Sequence, residues 1–280
     1  MSAAAPQANG TRRQLARHAM LIVAALVMIY PLLWLISSSL KPENLIFHNL
    51  GLIPERLQLD NYVQGWTALR FSFGRFFLNT IGFSLAVVAG QVITSVLAGY
   101  AFASMDFPGR RRLFALLLGV LFLPAIVLLI PRFLLLQALG WVDTLGGLIS
   151  AELVSVWGIF LMRQAFLQLP VELEEAARLD GAGTWTIFRE VALPAVWPSL
   201  ITLALFAFVD SWKAYLWPLV ATRSLELRTI EVGVATFHGF YYSDWPYQMA
   251  AAVAAALPLL LVFLAARRYF VRGLHLTGFR

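Results

Sequence analysis

The sequence contains no cysteine, so a disulfide framework and a thiolate metal site are both excluded. Its four histidines, at positions 18, 48, 238 and 275, are scattered along the chain. None has a second histidine or an acid at metal-ligand spacing within an apolar run. We therefore expect no metal site.

The sequence also lacks the motifs that carry common enzyme chemistry. There is no Gly-x-x-x-x-Gly-Lys-Ser/Thr run to hold nucleotide phosphates, and no Gly-x-Ser-x-Gly elbow. No close carboxylate pair stands in a pocket-like context either. We expect a non-catalytic chain that binds no cofactor of its own.

Charged residues are scarce, at 13%, and 60% of the residues are hydrophobic. Soluble domains average roughly 45 to 50% apolar residues, so this composition is typical of a membrane protein. The net charge of +6 is compatible with nucleic-acid binding. However, the basic residues stand in short groups at the ends of apolar runs, and we therefore expect membrane lipid and no nucleic acid as a partner.

Long apolar runs predict an all-α, polytopic fold with six transmembrane helices. The clearest run, Phe76 to Met105, has no charged residue and is long enough to cross a hydrocarbon core of about 30 Å. The predicted spans cover residues 17–38, 76–104, 112–131, 144–163, 196–220 and 246–267.

The N-terminal segment, residues 1–16, has no means of burying apolar surface, and we expect it to be disordered. Arginines and an apolar run follow, as in a signal peptide. The run is longer than the 7 to 15 residues of a signal core, so a retained first span is the favoured interpretation. At the other end of the chain, we expect residues 269–280 to form a tail.

Several residues inside the predicted spans interrupt the apolar pattern. Pro124 should bend the third span, and 133–141 is too short to cross and should lie along the interface. In the second span, polar and small residues are typical of helix contacts: Asn79, Gly82, Ser84, Gly90, Gln91, Thr94 and Gly99. Glu152 is interpreted as the partner of a donor on another helix rather than as a transport residue.

The stretch 170–194 is a charged island that should lie in water. Pro170 suits a first helical turn, and the acidic residues after it favour a helix N-terminus, so a helix over 170–179 is predicted. Asp180-Gly181 should end that helix. A second helix, about 184 to 191, should follow and stop at Pro194.

The residues Glu175-Ala176-Ala177, Asp180-Gly181-Ala182 and Leu193-Pro194 resemble the cytoplasmic coupling loop of binding-protein-dependent ABC importers. In that family, this loop docks into a separate ATPase subunit. The alternative is an amphipathic hairpin packed on the chain's own helices. The resemblance implies an ATPase-coupling role for ten residues: Glu174, Glu175, Ala176, Ala177, Asp180, Gly181, Ala182, Phe188, Leu193 and Pro194.

The distribution of basic residues predicts the orientation of the chain. The termini and the loops after the second and fourth spans hold thirteen arginines, whereas the other loops hold seven basic residues. We therefore expect a multi-pass protein of the inner or plasma membrane. The positive-inside rule places both of its termini and residues 164–194 in the cytoplasm.

The resemblance extends along most of the chain. Its further motifs are Leu40-Lys41-Pro42, Asp60-Asn61-Tyr62, Ser211 to Leu219, Leu227-Arg228-Thr229 with Gly233, Asp244-Trp245 and Tyr269 to Leu274. Together they resemble the six-span permease of a maltose-type carbohydrate ABC importer, which implies the type I importer permease fold. Lys213 and the residues after Leu274 depart from the family's pattern.

The resemblance also implies partners and a mechanism. The partners are a second homologous permease subunit, an ABC ATPase dimer that uses ATP and Mg, and an extracytoplasmic solute-binding protein. Two other classes stay open, namely a secondary transporter or channel and a membrane-embedded transferase or scaffold. Candidate residues of the solute pathway are Asn79, Asp210, Trp212, Lys213 and Tyr215, although Asp210 and Lys213 are also spaced to form an ion pair.

Overall fold

The computed structural model describes residues 7–69, 72–239 and 244–277, and the described chain is mostly helical. The helices are α1 (Gln7–Ser39), α2 (Glu43–Ile46), α3 (Asp60–Thr67), α4 (Gly74–Ser104), α5 (Arg110–Val120), α6 (Ala125–Ala138), α7 (Leu145–Ser150), α8 (Val156–Leu167), α9 (Val171–Leu179), α10 (Thr184–Thr186), α11 (Leu193–Ala195), α12 (Trp197–Trp212), α13 (Leu216–Ala221), α14 (Ile230–Ala235) and α15 (Trp245–Thr277). A π-helical segment (Ile187–Ala192) joins α10 to α11, and Leu225–Leu227 form a 3-10 turn.

The chain divides into two compact units, one of residues 1–70 with 236–254 and one of residues 71–235 with 255–280. In the first unit, the loop after α1 is organised around Lys41, which is only 1% exposed. Its ammonium donates to the carbonyl oxygens of Asn49 and Gly51, each at 2.7 Å. The Asn61 amide donates to the carbonyl oxygens of Ser39 and Lys41 and so fixes α3 to the end of α1. These bonds offset the cost of burying a cation, and the loop therefore has a defined structure.

The second unit is built on α4, which packs along α8 and α12. The close approach of α4 and α8 depends on glycine, because a Cβ added at Gly99 would lie 2.7 Å from Met162 Cβ. Farther along α4, the Gln91 side chain donates to the Glu152 carbonyl oxygen at 2.9 Å, and Thr94 donates to that of Leu153 at 3.0 Å. The interpretation of Gly99 as a helix-contact residue is confirmed, whereas Gly90, Gln91 and Thr94 contact the turn between α7 and α8. Gly82, by contrast, has no neighbour within 4 Å of an added Cβ.

Three described helices are long and apolar enough to cross a membrane: Arg13–Ser39 within α1, Gly74–Ser104 and Trp245–Ala266 within α15. If each sharply bent helix pair counts as one span, the number rises to five. The remaining predicted span, the fourth (144–163), is divided between α7 and α8. Ser155 accepts a hydrogen bond from the Gly158 amide and caps the start of α8, so a new helix begins inside the predicted run.

Two predictions are wrong: disorder over all of residues 1–16, and a separate interfacial segment over 133–141. Helix α1 begins at Gln7, so residues 7–16 are helical and not disordered, while residues 1–6 lie outside the described part. The third span bends by 100° between the end of α5 at Val120 and the start of α6 at Ala125. Pro124 is the N-cap residue of α6, which continues through Pro131 to Ala138. The segment 133–141 is therefore not a separate interfacial piece. Most of the predicted tail, up to Thr277, continues α15.

Candidate functional site: the coupling loop

The first arm of the loop is α9, which spans Val171–Leu179 and agrees with the predicted helix over 170–179. Pro170 stands at its N-cap, and Glu172 and Glu174 lie in its first turn, where the positive end of the helix dipole stabilises carboxylates. The local sequence therefore accounts for where this helix begins.

The elbow after α9 is formed by Asp180 and Gly181, as the sequence predicts. Gly181 has φ +84°, a left-handed conformation that costs glycine little and other residues roughly 1 to 2 kcal/mol. Its amide donates to the Arg178 carbonyl oxygen, and the Ala182 amide donates to that of Ala177, both at 3.0 Å. This pair of bonds is the Schellman arrangement, which satisfies the last carbonyl groups of α9.

The second arm runs from Thr184 through the π-helical segment to Ala195. Contrary to the prediction, Pro194 does not stop it. A π-helical segment already displaces the regular hydrogen-bonding pattern, as shown by the Leu193 amide bonding to the Phe188 carbonyl oxygen, and a residue without an amide hydrogen is tolerated beside it. The break comes instead at Val196, where the arm meets α12 at an angle of 76°.

One face of the loop packs against the chain's own helices. Ser104, the last residue of α4, donates a hydrogen bond to Glu174 Oε1 at 2.9 Å, and Arg178 contacts the other carboxylate oxygen at 3.4 Å. On the second arm, Phe188 is buried and its ring lies 5.0 Å from that of Tyr100 on α4. The loop is thus attached to α4 by both arms.

The opposite face of the loop is open. Leu179 is 90% exposed and Trp185 is 64% exposed, although both are large apolar side chains. Of the ten predicted coupling residues, five are exposed: Glu175, Ala176, Asp180, Gly181 and Pro194. Four are half-buried, namely Glu174, Ala177, Ala182 and Leu193. Phe188 is buried. The packing of the loop on α4 therefore leaves Leu179 and most of Trp185 in solvent.

Two of the predicted pathway residues have packing roles. Trp212 is 1% exposed, and its indole nitrogen donates to the Ala255 carbonyl oxygen at 3.0 Å. The amide nitrogen of Asn79 is half-buried and donates to the carbonyl oxygens of Glu226 at 2.7 Å and Arg228 at 2.9 Å. Both side chains are held by protein partners, and their place on a solute path stays a prediction.

The other three pathway candidates, Asp210, Lys213 and Tyr215, are exposed. Among the described ion pairs, none within 4.0 Å joins Asp210 to Lys213, so the expected internal pair is not formed. Glu152 does have an interhelical partner, because Arg132 on α6 contacts its carboxylate at 2.9 Å. The interpretation of Glu152 as a partner of an interhelical donor is therefore confirmed.

Asp143, which the sequence did not single out, holds the backbone that follows α13. It adopts φ +62°, and its carboxylate accepts hydrogen bonds from the Arg223 amide at 2.8 Å, the Ser224 amide and the Ser224 hydroxyl. These bonds, led by the one from the Ser224 amide, hold the pKa of Asp143 below its usual range. Within the described part of the chain, no group of three or more potential ligands is placed to hold a metal ion.

Comparison with known proteins identifies the family. The profile of the binding-protein-dependent transport system inner membrane component family matches residues 91–275. The chain is 35% identical over 257 residues to an arabinooligosaccharides transport system permease protein of Halalkalibacterium halodurans, covering 91% of this chain and 92% of the relative. The chain belongs to this family of inner membrane components.

A second relative of this inner membrane component is the sn-glycerol-3-phosphate transport system permease protein of Rhizobium meliloti, 31% identical over 265 residues, which are 92% of this chain and 94% of the relative. The fold is shared with a bacterial ABC transporter involved in the import of the acidic polysaccharide alginate. That crystal structure aligns with a TM-score of 0.83 and 23% identity over 96% of this chain and 100% of the other. The chain is thus a multi-pass permease subunit of an ABC importer, with the type I permease fold predicted from its sequence.

Proposed function

We propose that this permease subunit forms half of the translocation pathway for a sugar or sugar-like solute. A second homologous permease completes the pathway, and an extracytoplasmic binding protein delivers the solute. The proposal is supported by the relatives, whose names include arabinooligosaccharide, glycerol-phosphate and diacetylchitobiose transport. Asp210, Lys213 and Tyr215 face the pathway, because charged side chains on an apolar helix are costly against lipid.

Residues 170–194 couple this pathway to a separate ABC ATPase dimer on the cytoplasmic side, where ATP and Mg are bound and hydrolysed. The observation that carries this part is the exposed apolar face of the loop, with Leu179 and Trp185 in solvent on a segment whose other face is anchored. Exposed apolar side chains of this size mark a protein contact. Glu175, exposed beside them, supplies a negative charge for a basic residue of the ATPase cleft.

The experiment is purification of the chain from its own cells in detergent, followed by reconstitution with its partners. We expect an ATPase and a second permease to purify with it, and solute uptake to require ATP. The substitutions Glu175→Lys and Gly181→Pro should abolish uptake while the chain still inserts. The control, Glu43→Lys, makes the same charge change on an exposed residue of the first unit and should leave ATPase recovery unchanged.

Transport by the chain reconstituted alone would instead show a secondary transporter or channel. Turnover of a substrate without ATP would show a transferase. Normal uptake by the Glu175→Lys variant, with an unchanged ATPase complex, would contradict the role assigned to the loop.

A further inference from the structure

Near its N-terminal end, helix α4 holds the segment that follows α13. The Asn79 amide bridges two carbonyl oxygens, those of Glu226 and Arg228, and Arg75 Nε makes a longer bond of 3.3 Å to that of Glu226. At the next residue of α4, Thr80 Oγ1 accepts a hydrogen bond from the Ile230 amide at 2.7 Å, in a fully buried position. Three backbone groups of residues 226–230 are therefore bonded to two adjacent side chains of α4.

The same end of α4 supports α14 by close packing. Phe76 is fully buried, and a Cβ added at Gly233 would lie 2.5 Å from its ring. Glycine thus lets the backbone of α14 rest on the Phe76 ring. We name residues 226–235 the outer segment.

The C-terminal end of α4 holds the coupling loop. Ser104 bonds Glu174 on the first arm, and one turn earlier the Tyr100 ring packs on Phe188 of the second arm. Since Tyr100 and Ser104 are four residues apart, they lie on one face of the helix. That face contacts the loop on both sides of the Gly181 elbow.

Between these attachments, α4 runs unbroken for 31 residues, about 46 Å at 1.5 Å per residue, and contains no proline. Its C-terminal half packs along α8, with the close approach at Gly99 described above. A continuous helix held in this way moves as one body, so a displacement at one end is carried to the other.

We propose that α4 transmits movement of the coupling loop to the outer segment, so that the two segments move together. In this proposal, Asn79 is the positioning residue that attaches the outer segment to α4, and Ser104 attaches the coupling loop at the opposite end. This inference rests on the proposed function, because the movement comes from the ATPase. It also gives the polar Asn79 a purpose other than contact with solute.

The absence of cysteine permits a direct test with a single labelled site. Glu226→Cys preserves the backbone carbonyl group that Asn79 binds, and the side chain is exposed, so a fluorophore there reports on the outer segment. In the assembled complex, we expect the fluorescence to change when ATP and solute-loaded binding protein are added. With Asn79→Ala, most of this change should be lost, because both side-chain hydrogen bonds from Asn79 to the outer segment are removed.

Asn79→Asp is the sharper variant because it keeps the shape but replaces the donor with an acceptor that repels both carbonyl groups. It should reduce the fluorescence change at least as much as alanine, whereas Asn79→Gln, which keeps the amide, should restore part of it. Ser104→Ala should reduce the same signal from the other end of the helix. None of these variants should change the amount of ATPase that purifies with the chain.

The matched control is Gln91→Ala, since Gln91 is another half-buried amide of α4 that donates to a backbone carbonyl group, that of Glu152. It should leave the fluorescence change at the level of the labelled parent. Equal signals from Asn79→Asp, Ser104→Ala and the parent, in complexes that import solute, would overturn the inference alone. Failure of the parent to recover any ATPase would overturn the proposed function and the inference with it.

Discussion

The hydroxyl of Ser104 donates a hydrogen bond to the carboxylate of Glu174 across 2.9 Å, joining residues that are 70 positions apart in the sequence. This bond distinguishes Glu174 from its neighbour Glu175, which is exposed. Of two adjacent glutamates in a predicted coupling helix, one is turned toward α4 and one is available to a partner.

The Ser104–Glu174 bond should contribute measurably to the stability of the loop. In a double-mutant cycle of Ser104→Ala and Glu174→Gln, we expect an interaction energy of about 1 kcal/mol, since the bond involves a charged group that is partly accessible. Thermal unfolding of the purified chain measures it. Glu172→Gln, on the same helix but exposed, should have an effect near zero. Additive effects of the two substitutions would show that the bond is not formed in solution.

Gly181 should be far less tolerant of substitution than Gly183. Gly181→Ala places a side chain at φ +84° and should destabilise the elbow by roughly 1 kcal/mol. Gly183 has φ −73° and open space around an added Cβ, so Gly183→Ala is the matched control and should be close to neutral. Thermal unfolding and solute uptake of the two variants check this order, and equal behaviour would contradict it.

Substitution of Gly99 by alanine should disrupt the contact of α4 with α8, whereas the same substitution at Gly82 should not. An added Cβ at Gly99 meets Met162 Cβ at 2.7 Å and the Arg163 backbone nitrogen at 2.9 Å, and backbone atoms do not move aside easily. We expect Gly99→Ala to cost about 1 to 3 kcal/mol, a typical cost of overpacking. Gly82→Ala, in open space on the same helix, should be neutral or stabilising. The apparent unfolding temperatures of the two variants in detergent provide the comparison.

The stability of the chain should depend on pH through Asp143. Its pKa is lower in the folded chain than in the unfolded chain, because backbone amides stabilise the carboxylate. The stabilisation is therefore fully present above the ordinary aspartate pKa, about 3.9, and is lost as the pH falls through the lower folded value. The unfolding temperature should thus decrease in acid more steeply for the parent than for Asp143→Asn.

Asparagine is the appropriate replacement at this position, since it tolerates the left-handed φ of +62° while removing the charge. Above pH 5, we expect Asp143→Asn to be less stable than the parent, with the difference narrowing below pH 4. A constant difference across this range would show that the carboxylate does not titrate with folding.

The sequence was sufficient to predict the elements of the coupling loop. Proline, acidic residues and glycine determine where α9 begins and ends by local backbone effects, and these are readable from neighbouring residues alone. The orientation of α9 about its axis was not readable. Whether Glu174 or Glu175 faces inward depends on Ser104, on a helix that is distant in sequence.

The pathway candidates show the same limit of sequence analysis, which does not reveal contacts between residues distant in sequence. Asn79 and Trp212 have the polarity and the aromatic surface expected of solute contacts, but each bonds a backbone carbonyl group that no sequence pattern identifies. Pro124 indicated a bend in the third span but not its size, which is 100°. The helix break within 144–163 was missed because the composition on both sides stays apolar. The break between the second arm and α12 was predicted at Pro194 and lies two residues later, at Val196.

The second arm of the loop and α12 meet at 76°, close to a right angle. The arm, residues 184–195, is about 18 Å long at 1.5 Å per residue. Because the two helical segments are nearly perpendicular, a sideways force on the free end of the arm produces a torque about the axis of α12. A 2 Å push would turn α12 by about 6° at this radius. Rotation, unlike sliding, presents Asp210 to a different side without moving the helix along the membrane normal.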